Sequence, residues 1–352
     1  MADETTARRK NSHLDLCASE EVEPAENSTL LECVDLVHCA MPELALSDVD
    51  TSASLFGKKL RVPVVVTGMT GGTDRAARVN RDLAELAEKH GMAFGVGSQR
   101  AMSEDPERAV TFRVRDVAPT TAVIGNIGLR QAAALGGDGV RRLADSIQAD
   151  GMALHLNVGQ ELTQPEGDRD FRGGYKTVSA LVRIFGERLL VKETGCGISP
   201  DVARGLRDCG VRTIDISGLG GTSWVRVEEL RARGVAQEVG RTFAGWGIPT
   251  AAALLSVRRA VGPDVTLIAS GGIRTGLDVV KVLALGANLA GMALPIFRAL
   301  QDGGREGADR AIDAILTGLK QGLLLTGSRD ADQLRARPRV ISGKLKDWLA
   351  AL

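Results

Sequence analysis

IASGGIRTGLDVVKVLALGANLAGMA, residues 268–293, is the stretch that decides the fold. Two short apolar runs that end in small residues enclose a segment whose apolar positions recur at helical spacing. Strands buried on both faces of a parallel sheet have this continuous apolar character, because helices cover them. The stretch therefore predicts a strand, a helix and a second parallel strand, with Gly271 and Gly272 in the turn after the first strand.

The same unit recurs along the chain. Amphipathic helix patterns alternate with apolar runs of strand length, which begin at Pro63, Met92, Thr121, Met152, Leu189, Thr213, Thr266 and Leu289. Eight such units predict an α/β fold of the (β/α)8 TIM-barrel class. The alternative, a doubly wound open sheet, would carry a G-x-G-x-x-G fingerprint after its first strand. GMTGGT at 68–73 does not fit that fingerprint.

The ends of the predicted strands favour the barrel. Polar residues follow nearly every run: Thr70, Ser98, Asn126, Asn157, Lys192, Ser217 and Ser270. A barrel builds its active site from the C-terminal ends of its strands. Residues 1–60 are predicted to be an N-terminal extension that folds onto this barrel mouth. Residues 61–352 are predicted to be the barrel with C-terminal helices, including a helical tail over 301–352.

Composition narrows the range of partners and locations. The chain has 352 residues with 44 basic and 44 acidic side chains, so nothing suggests nucleic acid or an anionic membrane as a partner. The five cysteines lack C-x-x-C spacing, and neither a disulfide framework nor a zinc site is expected. The start has no apolar signal region, and no later segment gives 18 uncharged apolar residues in a row. We expect a soluble cytoplasmic protein.

The glycine-rich turns after the last predicted strands indicate an anion site. Glycine lets the backbone approach a ligand closely, and the N–H groups at a helix start carry partial positive charge. The loops after strands seven and eight are the usual phosphate site of a TIM barrel. GLGGTSW, from Gly218, adds a third glycine cluster with Thr222 as a hydroxyl donor. The alternative is that these glycines serve only as tight turns and helix caps.

A phosphate site together with Thr70, Ser98, Asn126 and Lys192 on the rim predicts a bound flavin. Hydroxyl and amide groups can hydrogen-bond the edge of the flavin ring, and a lysine can stabilise negative charge on it. The alternative role for Lys192 is an ion pair with Glu193 or another carboxylate. Cys196 has no candidate base beside it in sequence, so we assign it a structural role.

ALHLNVGQEL at 153–162 is the most informative strand. His155 and Asn157 alternate onto one face, at the end that should form the barrel mouth, and Gln160 and Glu161 follow on the loop. Glu161 can bind Mg²⁺ through oxygen, while the other three can hydrogen-bond a diphosphate or orient a substrate. Near the start, ARRKNSH clusters basic residues that could fold back over the mouth and bind an anion.

These motifs resemble the type 2 isopentenyl-diphosphate isomerases, a family of FMN-dependent enzymes on a (β/α)8 barrel. The matching motifs run in order from about residue 9 to about residue 300: RKNSH (9–13), GMTGGT (68–73), GSQR (97–100), NIG (126–128), HLNVGQE (155–161), GDRDFRG (167–173), VKETGCGIS (191–199), DISGLGGTSW (215–224), GIPT (247–250), SGGIRTGLD (270–278) and ALGA…GMALP (284–295). Two departures are visible, of which one is that Cys196 occupies a position that the family varies. The family often has Pro-Leu before the Gln-Glu pair, where this chain has Val158 and Gly159.

The resemblance implies a role for each matching position. It implies FMN contacts from Thr70, Ser98, Asn126, Lys192, Ser217, Thr222, Gly271, Gly272, Arg274, Ala293 and Leu294. It implies substrate binding by Arg9, Lys10, His13, Arg100, His155, Asn157 and Gln160. Glu161 is implied to bind Mg²⁺, and Gln160 to lie beside the reacting carbons as the catalytic residue.

The resemblance also implies the reaction. Such an enzyme interconverts isopentenyl and dimethylallyl diphosphate, in isoprenoid precursor biosynthesis, by adding one proton and removing another. It needs Mg²⁺ and reduced FMN, with NADPH or NADH as reductant, and we expect a homo-oligomer that binds a small diphosphate substrate. One alternative is an FMN-dependent 2-hydroxy-acid oxidoreductase, but no suitable histidine follows GMALP. The other is a non-catalytic barrel that only binds FMN or a phosphorylated metabolite.

Overall fold

A computed structural model describes residues 2–23, 26 and 28–352 of the chain, with side chains from residue 8 onward. The strands are β1 (Val34–Leu36), β2 (Ala53–Leu55), β3 (Lys58–Leu60), β4 (Val64–Val66), β5 (Ala93–Gly95), β6 (Val123–Gly128), β7 (Gly151–His155), β8 (Leu189–Lys192), β9 (Thr213–Asp215), β10 (Thr266–Ala269), β11 (Leu289–Met292) and β12 (Arg339–Ile341). Strands β4 to β11 form a closed parallel barrel in chain order. Strand β10 pairs with β9, and β11 pairs with β4 to close the barrel. The predicted (β/α)8 barrel is confirmed, with a strand in each of the eight apolar runs.

The helices are α1 (Ala2–Ser19), α2 (Asp74–His90), α3 (Arg100–Glu104), α4 (Leu129–Ser146), α5 (Val158–Thr163), α6 (Gly174–Phe185), α7 (Pro200–Asp208), α8 (Trp224–Arg231), α9 (Val235–Phe243), α10 (Thr250–Val261), α11 (Gly276–Ala284), α12 (Leu294–Leu325), α13 (Ala331–Ala336) and α14 (Gly343–Ala351). Local sequence fixes several of their ends. Thr275 and Asp278 form a reciprocal capping box at the start of α11. Gly91, with φ 71°, ends α2 in the left-handed conformation that glycine adopts without strain. None of the helices in the described residues is long and apolar enough to span a bilayer.

Alternation along the strands divides the core into two layers. Val65 of β4 points into the barrel, whereas its neighbours Val64 and Val66 pack in the layer shared with the outer helices. The other strands contribute Ala93, Ile124, Ala153, Leu190, Ile268 and Leu289 to the interior layer. The interior residues are small or branched and fill the barrel as a solid core. The strand ends are left to carry the polar side chains.

The segments outside the barrel lie at both of its ends. Helix α1 brings Arg9, Lys10 and His13 to the mouth. Hairpin β2–β3 instead closes the opposite end, because Leu55 and Leu60 join the interior core. The predicted extension therefore does not fold onto the mouth as a single unit. The predicted helical tail over 301–352 is not helical throughout, since it contains strand β12, which pairs antiparallel with β1.

Candidate active site

The barrel mouth contains two adjoining cavities, which together are lined by every predicted site residue except Thr70. We call the first the cationic cavity, of about 700 Å³, with the residues Arg9, Lys10, His13, Ser98, Arg100, Asn126, His155, Asn157, Gln160 and Glu161. We call the second the glycine cavity, of about 610 Å³, with Ser217, Thr222, Gly271, Gly272, Arg274, Ala293 and Leu294. Lys192 and Trp224 line both, so the two form one continuous site.

Three cations converge on the cationic cavity. Arg9 and Lys10 come from α1 and are each only 8% exposed, and Arg100 opens α3. Burial, and then the charges of Arg9 and Arg100, lower the pKa of Lys10 to about 8. The nearest carboxylate to Arg9 is that of Glu166, with an N–O distance of 3.6 Å. Clustered, desolvated cations lower one another's pKa, and a bound polyanion would relieve that repulsion.

His155 ends β7, where its ring is held by a buried amide. Its Nδ1 lies 2.8 Å from Oδ1 of Asn126. Asn126 is fixed in turn by Gln99, which is fully buried and whose Oε1 accepts the Asn126 backbone N–H at 2.9 Å. Burial, followed by the charges of Lys192 and Lys10, lowers the pKa of His155 to about 3. The ring is therefore neutral at pH 7. Gln99 was not among the predicted site residues.

Helix α5 presents the Gln-Glu pair, with Asn157 as its N-terminal cap residue. Nδ2 of Asn157 donates to Oε1 of Glu161 at 2.9 Å, and the backbone N–H of Asp168 donates to Oε2 of Glu161 at 2.8 Å. Glu161 is 5% exposed but reaches the cationic cavity. The Val158-Gly159 departure leaves the helix intact. Glycine suits its position, because a Cβ there would lie 3.0 Å from Cγ2 of Val225.

Glu228, on α8, is the main polar residue that the sequence did not reveal. Its carboxylate is completely buried, and Oε1 accepts hydrogen bonds from Nε2 of Gln160 and from His13, each at 3.0 Å. Arg231 contacts Oε2. Burial alone would raise the pKa of Glu228, but the hydrogen bond from His13 and the charge of Arg231 outweigh burial and lower it to about 2. Helix α8 lacks an apolar stripe that would have separated its buried from its exposed positions.

Trp224 begins α8 and lines both cavities. Its ring meets the ring of His13 edge to face, with centroids 5.1 Å apart. This contact, together with the Glu228 hydrogen bond, locks α1 onto the mouth. The N-terminal basic cluster is thereby tied to the same carboxylate that holds Gln160.

The glycines of the second cavity are required by close backbone packing. A Cβ on Gly271, whose φ is 96°, would lie 2.0 Å from the carbonyl oxygen of Gly218, and a Cβ on Gly221 would lie 2.3 Å from the backbone nitrogen of Gly272. The alternative that these glycines serve as tight turns is therefore correct as far as it goes, but Gly271 and Gly272 also line the cavity. Next to them, Ser217 has a φ of 38°, which is uncommon for a residue with a side chain. The loops after β9 and β10 thus meet backbone to backbone and form a glycine cradle.

Lys192 projects from the end of β8 between the cavities. Its Nζ donates to the backbone carbonyl of Glu193, whereas the Glu193 carboxylate accepts the backbone N–H groups of Thr194, Gly195 and Cys196. The alternative of an ion pair between Lys192 and the Glu193 carboxylate is not what the structure shows. Burial raises the pKa of Cys196 to about 12, so this residue is a neutral thiol at pH 7.

Thr70 and Arg274 differ from what is expected of direct flavin contacts. Thr70 is buried beneath the mouth and lines neither cavity, and its Oγ1 has no partner among the described residues. Its carbonyl accepts from Asn80 Nδ2 at 3.2 Å. Arg274 lines the glycine cavity, where its guanidinium contacts the carboxylate of Glu23. A phosphate at this place would meet a cation already held by an anionic side chain.

The residues present fit both groups that the sequence predicted. The glycine backbone of the loops after β9 and β10 and the cation Arg274, which line the glycine cavity, suit a phosphorylated flavin. No cluster of three or more His, Cys, Asp or Glu side chains suited to a metal occurs in the described part of the chain. Glu161 could therefore hold a cation only with help from a ligand. That is how Mg²⁺ commonly binds, through one or two carboxylates plus substrate phosphates.

Comparison with known proteins places the chain in a family. Residues 160–341 match the model of the FMN-dependent dehydrogenase family. The chain is 45% identical over 349 residues to an isopentenyl-diphosphate delta-isomerase of Metallosphaera sedula, covering 97% of this chain and 94% of the relative. It is 44% identical to the enzyme of that name from Ignicoccus hospitalis, covering 97% and 96%.

Solved structures agree on the fold. A mandelate oxidase variant with an FMN adduct superposes with a TM-score of 0.67 at 19% identity, covering 97% of this chain and 100% of that one. The same enzyme with (S)-mandelic acid gives a TM-score of 0.68 at 18% identity. At this identity the likeness shows the barrel alone. The extent and level of the sequence identity show that this chain belongs to the isopentenyl-diphosphate delta-isomerase family, within the broader group of FMN-dependent dehydrogenases.

Proposed function

We propose that the protein interconverts isopentenyl diphosphate and dimethylallyl diphosphate, with reduced FMN and Mg²⁺ bound. The observation that carries this proposal is the continuity of the two cavities. One cavity offers buried cations to a diphosphate, and the other offers a glycine cradle to a flavin phosphate. An alkene attached to the diphosphate would lie between them, beside Lys192 and Trp224.

The cationic cavity has the charge to hold a diphosphate. Arg9, Lys10 and Arg100 supply three positive charges from two helices. Charge-assisted hydrogen bonds to phosphate oxygens are about twice as strong as neutral ones. Because Arg9 and Lys10 are already desolvated, the binding energy is not spent on stripping water from them. These residues would anchor one end of the substrate and so position the alkene.

Glu161 would hold Mg²⁺ at the diphosphate. Its two oxygens are oriented by Asn157 and by the backbone N–H of Asp168, and each retains a lone pair for a cation. The remaining ligands would be phosphate oxygens and water. Metal affinity should therefore depend on the diphosphate, and the affinity for diphosphate should depend on the metal.

The flavin would occupy the glycine cavity. When bound and reduced by NADPH or NADH, FMN would supply the acid–base group for the alkene. Cys196 does not offer that group, because its thiol is neutral and not activated. Arg274, Thr222 and the glycine backbone would hold its phosphate, and the Lys192 ammonium would stabilise negative charge on the ring. Asn126, within β6, and Ser98, in the loop after β5, would contact the ring edge.

Gln160 is held in one orientation by its neighbours. Its Nε2 donates to Glu228, so its Oε1 is the atom that faces Asn157 Nδ2, at 3.3 Å. A fixed amide cannot act as a strong acid, but it can present a lone pair next to the reacting carbons. We assign to Gln160 the role of orienting the alkene beside the reacting carbons.

The test is anaerobic conversion of isopentenyl diphosphate with FMN and Mg²⁺, with and without NADPH, detecting the dimethylallyl isomer. We expect product only with reductant, and loss of turnover with a raised Mg²⁺ requirement in Glu161→Gln. Glu187→Gln is the matched control, because Glu187 is exposed just before β8, away from the mouth. An unaltered Glu161→Gln enzyme would refute the metal assignment. FMN-loaded protein that makes no product but oxidises 2-hydroxy acids would refute the isomerase.

We also propose that the enzyme is a homo-oligomer. Helix α9 is amphipathic, yet its apolar stripe of Val235, Val239 and Phe243 is exposed, and Phe243 contacts the exposed Trp246 ring. Exposed apolar patches of this kind mark interfaces. Sedimentation should show Val239→Glu at a lower mass than wild type, whereas Val340→Glu, which is similarly exposed on β12, should not change the mass. A monomeric wild type would refute the proposal.

The cytoplasm is the proposed location. All five cysteines are free thiols, which suits a reducing compartment. NADPH and NADH, the proposed reductants, are used there. Cell fractionation tests this location, and recovery of the protein with the membranes would contradict it.

A further inference from the structure

The tautomer of His155 is determined by a buried chain of amides. Asn126 donates from Nδ2 to the carbonyl of Val96 at 3.1 Å, which leaves its Oδ1 facing His155. An amide oxygen only accepts hydrogen bonds, so Nδ1 of His155, 2.8 Å away, must carry the proton. Gln99 holds the backbone at this position: its Oε1 accepts the backbone N–H of Asn126 at 2.9 Å, and its Nε2 donates to the carbonyl of Leu143 at 3.0 Å.

The other ring nitrogen then has no proton. A neutral imidazole carries one N–H, so Nε2 of His155 is a lone-pair acceptor, and it has no hydrogen-bond partner within the described residues. The charged groups nearest to the ring are Lys192, its register partner on β8, and Lys10 on α1. Strand β6, on the other side, carries no titratable residue. Arg9, Arg100 and Glu161 line the same cavity from α1, α3 and α5.

This arrangement conflicts with the anion proposed for the cavity. A phosphate oxygen needs a donor, and the ligand-free ring offers a lone pair that would repel it. Lys10 and Lys192 oppose a positive ring only while the anion is absent, because a diphosphate would neutralise their field. The amide oxygen of Asn126 can accept from a neutral or a charged ring, so the existing hydrogen bond survives either state.

We propose that a diphosphate binds with the uptake of one proton at Nε2 of His155, which turns the ring from an acceptor into a donor to a phosphate oxygen. The inference rests on the proposed function only in taking a diphosphate as the ligand. The proton comes from solvent, or from a P–OH group that becomes fully ionised as the ring is charged. Asn126 is the positioning residue, since a carboxylate there would keep the ring charged before the ligand arrives.

The experiment is titration calorimetry at pH 7.0 of the Mg²⁺-saturated, oxidised FMN holoenzyme, which does not turn over. Isopentenyl diphosphate is titrated in two buffers of different ionisation enthalpy, and the difference in heat gives the protons taken up. The ligand is the same in every titration, and Lys10, with a pKa of about 8, is already mostly protonated at pH 7.0 and takes up little. We expect His155→Gln, whose amide N–H donates without protonation, and Asn126→Asp, whose ring is charged beforehand, each to take up about one proton fewer than wild type.

The outcomes separate this inference from the proposed function. Binding with the same proton uptake in wild type and both variants would overturn it. If His155→Gln fails to bind, Asn126→Asp decides alone, once its FMN fluorescence shows the cofactor in place. Inorganic pyrophosphate is run in parallel. Proton-coupled binding of pyrophosphate without binding of isopentenyl diphosphate would refute the proposed substrate and support the proton uptake at His155. Binding of neither ligand would refute both proposals.

Discussion

Glu228→Gln is the substitution whose effect the structure predicts most directly. The folded-state pKa of Glu228 is about 2 against an ordinary value of 4.5. At about 1.4 kcal/mol per pKa unit, the ionised carboxylate contributes on the order of 3 kcal/mol to the free energy of unfolding at pH 7. Glutamine keeps the shape but not the charge, so it resembles the protonated acid. We expect a loss of about 3 kcal/mol.

The dependence of this loss on pH follows from the direction of the shift. Because the folded-state pKa is lowered, the contribution is complete above pH 4.5 and is lost as the pH falls from 4.5 towards 2. The gap between wild type and Glu228→Gln should therefore fall to about 2 kcal/mol at pH 3.5. Turnover at pH 7 should also drop, because Gln160 loses a charged acceptor at 3.0 Å.

The assay is urea unfolding of both proteins at pH 7.0, 5.0 and 3.5, followed by circular dichroism with FMN at saturation. Asp116→Asn is the control, because its ion pair with Arg81 is exposed and should contribute less than about 1 kcal/mol. A Glu228→Gln protein as stable as wild type at pH 7, or a gap that does not change with pH, would refute the assignment of an ionised carboxylate at this position.

Three further predictions follow from the loops, the core and the mouth. Gly271→Ala should weaken FMN binding, measured by fluorescence quenching, because its Cβ would meet the Gly218 carbonyl at 2.0 Å; Gly173→Ala, with a φ of 80° but open space, should leave FMN affinity unchanged. Leu55→Ala should cost about 2–5 kcal/mol in urea unfolding without altering the KM, since Leu55 plugs the far end of the barrel. The kcat/KM of the wild type should decline above about pH 8 as free Lys10 loses its proton, and Lys10→Arg should move that decline to higher pH.

Sequence periodicity was sufficient for the barrel. Each apolar run became a strand because a strand buried on both faces must be apolar throughout, as Val64, Val65 and Val66 are. The turn before α11 could also be predicted from its glycines, since backbone packing at Gly271 tolerates no side chain. The motif in β7 and α5 was also local, because His155, Asn157, Gln160 and Glu161 lie within seven residues.

Sequence alone did not reveal residues whose role depends on distant partners. Glu228 lies 68 positions from Gln160 and 215 from His13, and the sequence of α8 gives no sign that its carboxylate is buried. Gln99 looked like a member of a motif, yet its side chain never reaches the cavity and instead fixes Asn126. The hairpin β2–β3 reads as part of a leading extension, and only the closed barrel shows that it plugs the far end.

The sequence by itself determined the (β/α)8 barrel, the glycine-rich loops and the residue types at the mouth, because these depend on local periodicity and on backbone conformations available to glycine. The tertiary structure alone decided which of those side chains meet. It joined the two cavities at Lys192, set the tautomer of His155 through Asn126, and placed Glu228 beneath Gln160. Hydrogen bonds and charges act over a few ångströms in space, and closing the barrel is what brings residues more than a hundred positions apart within that range.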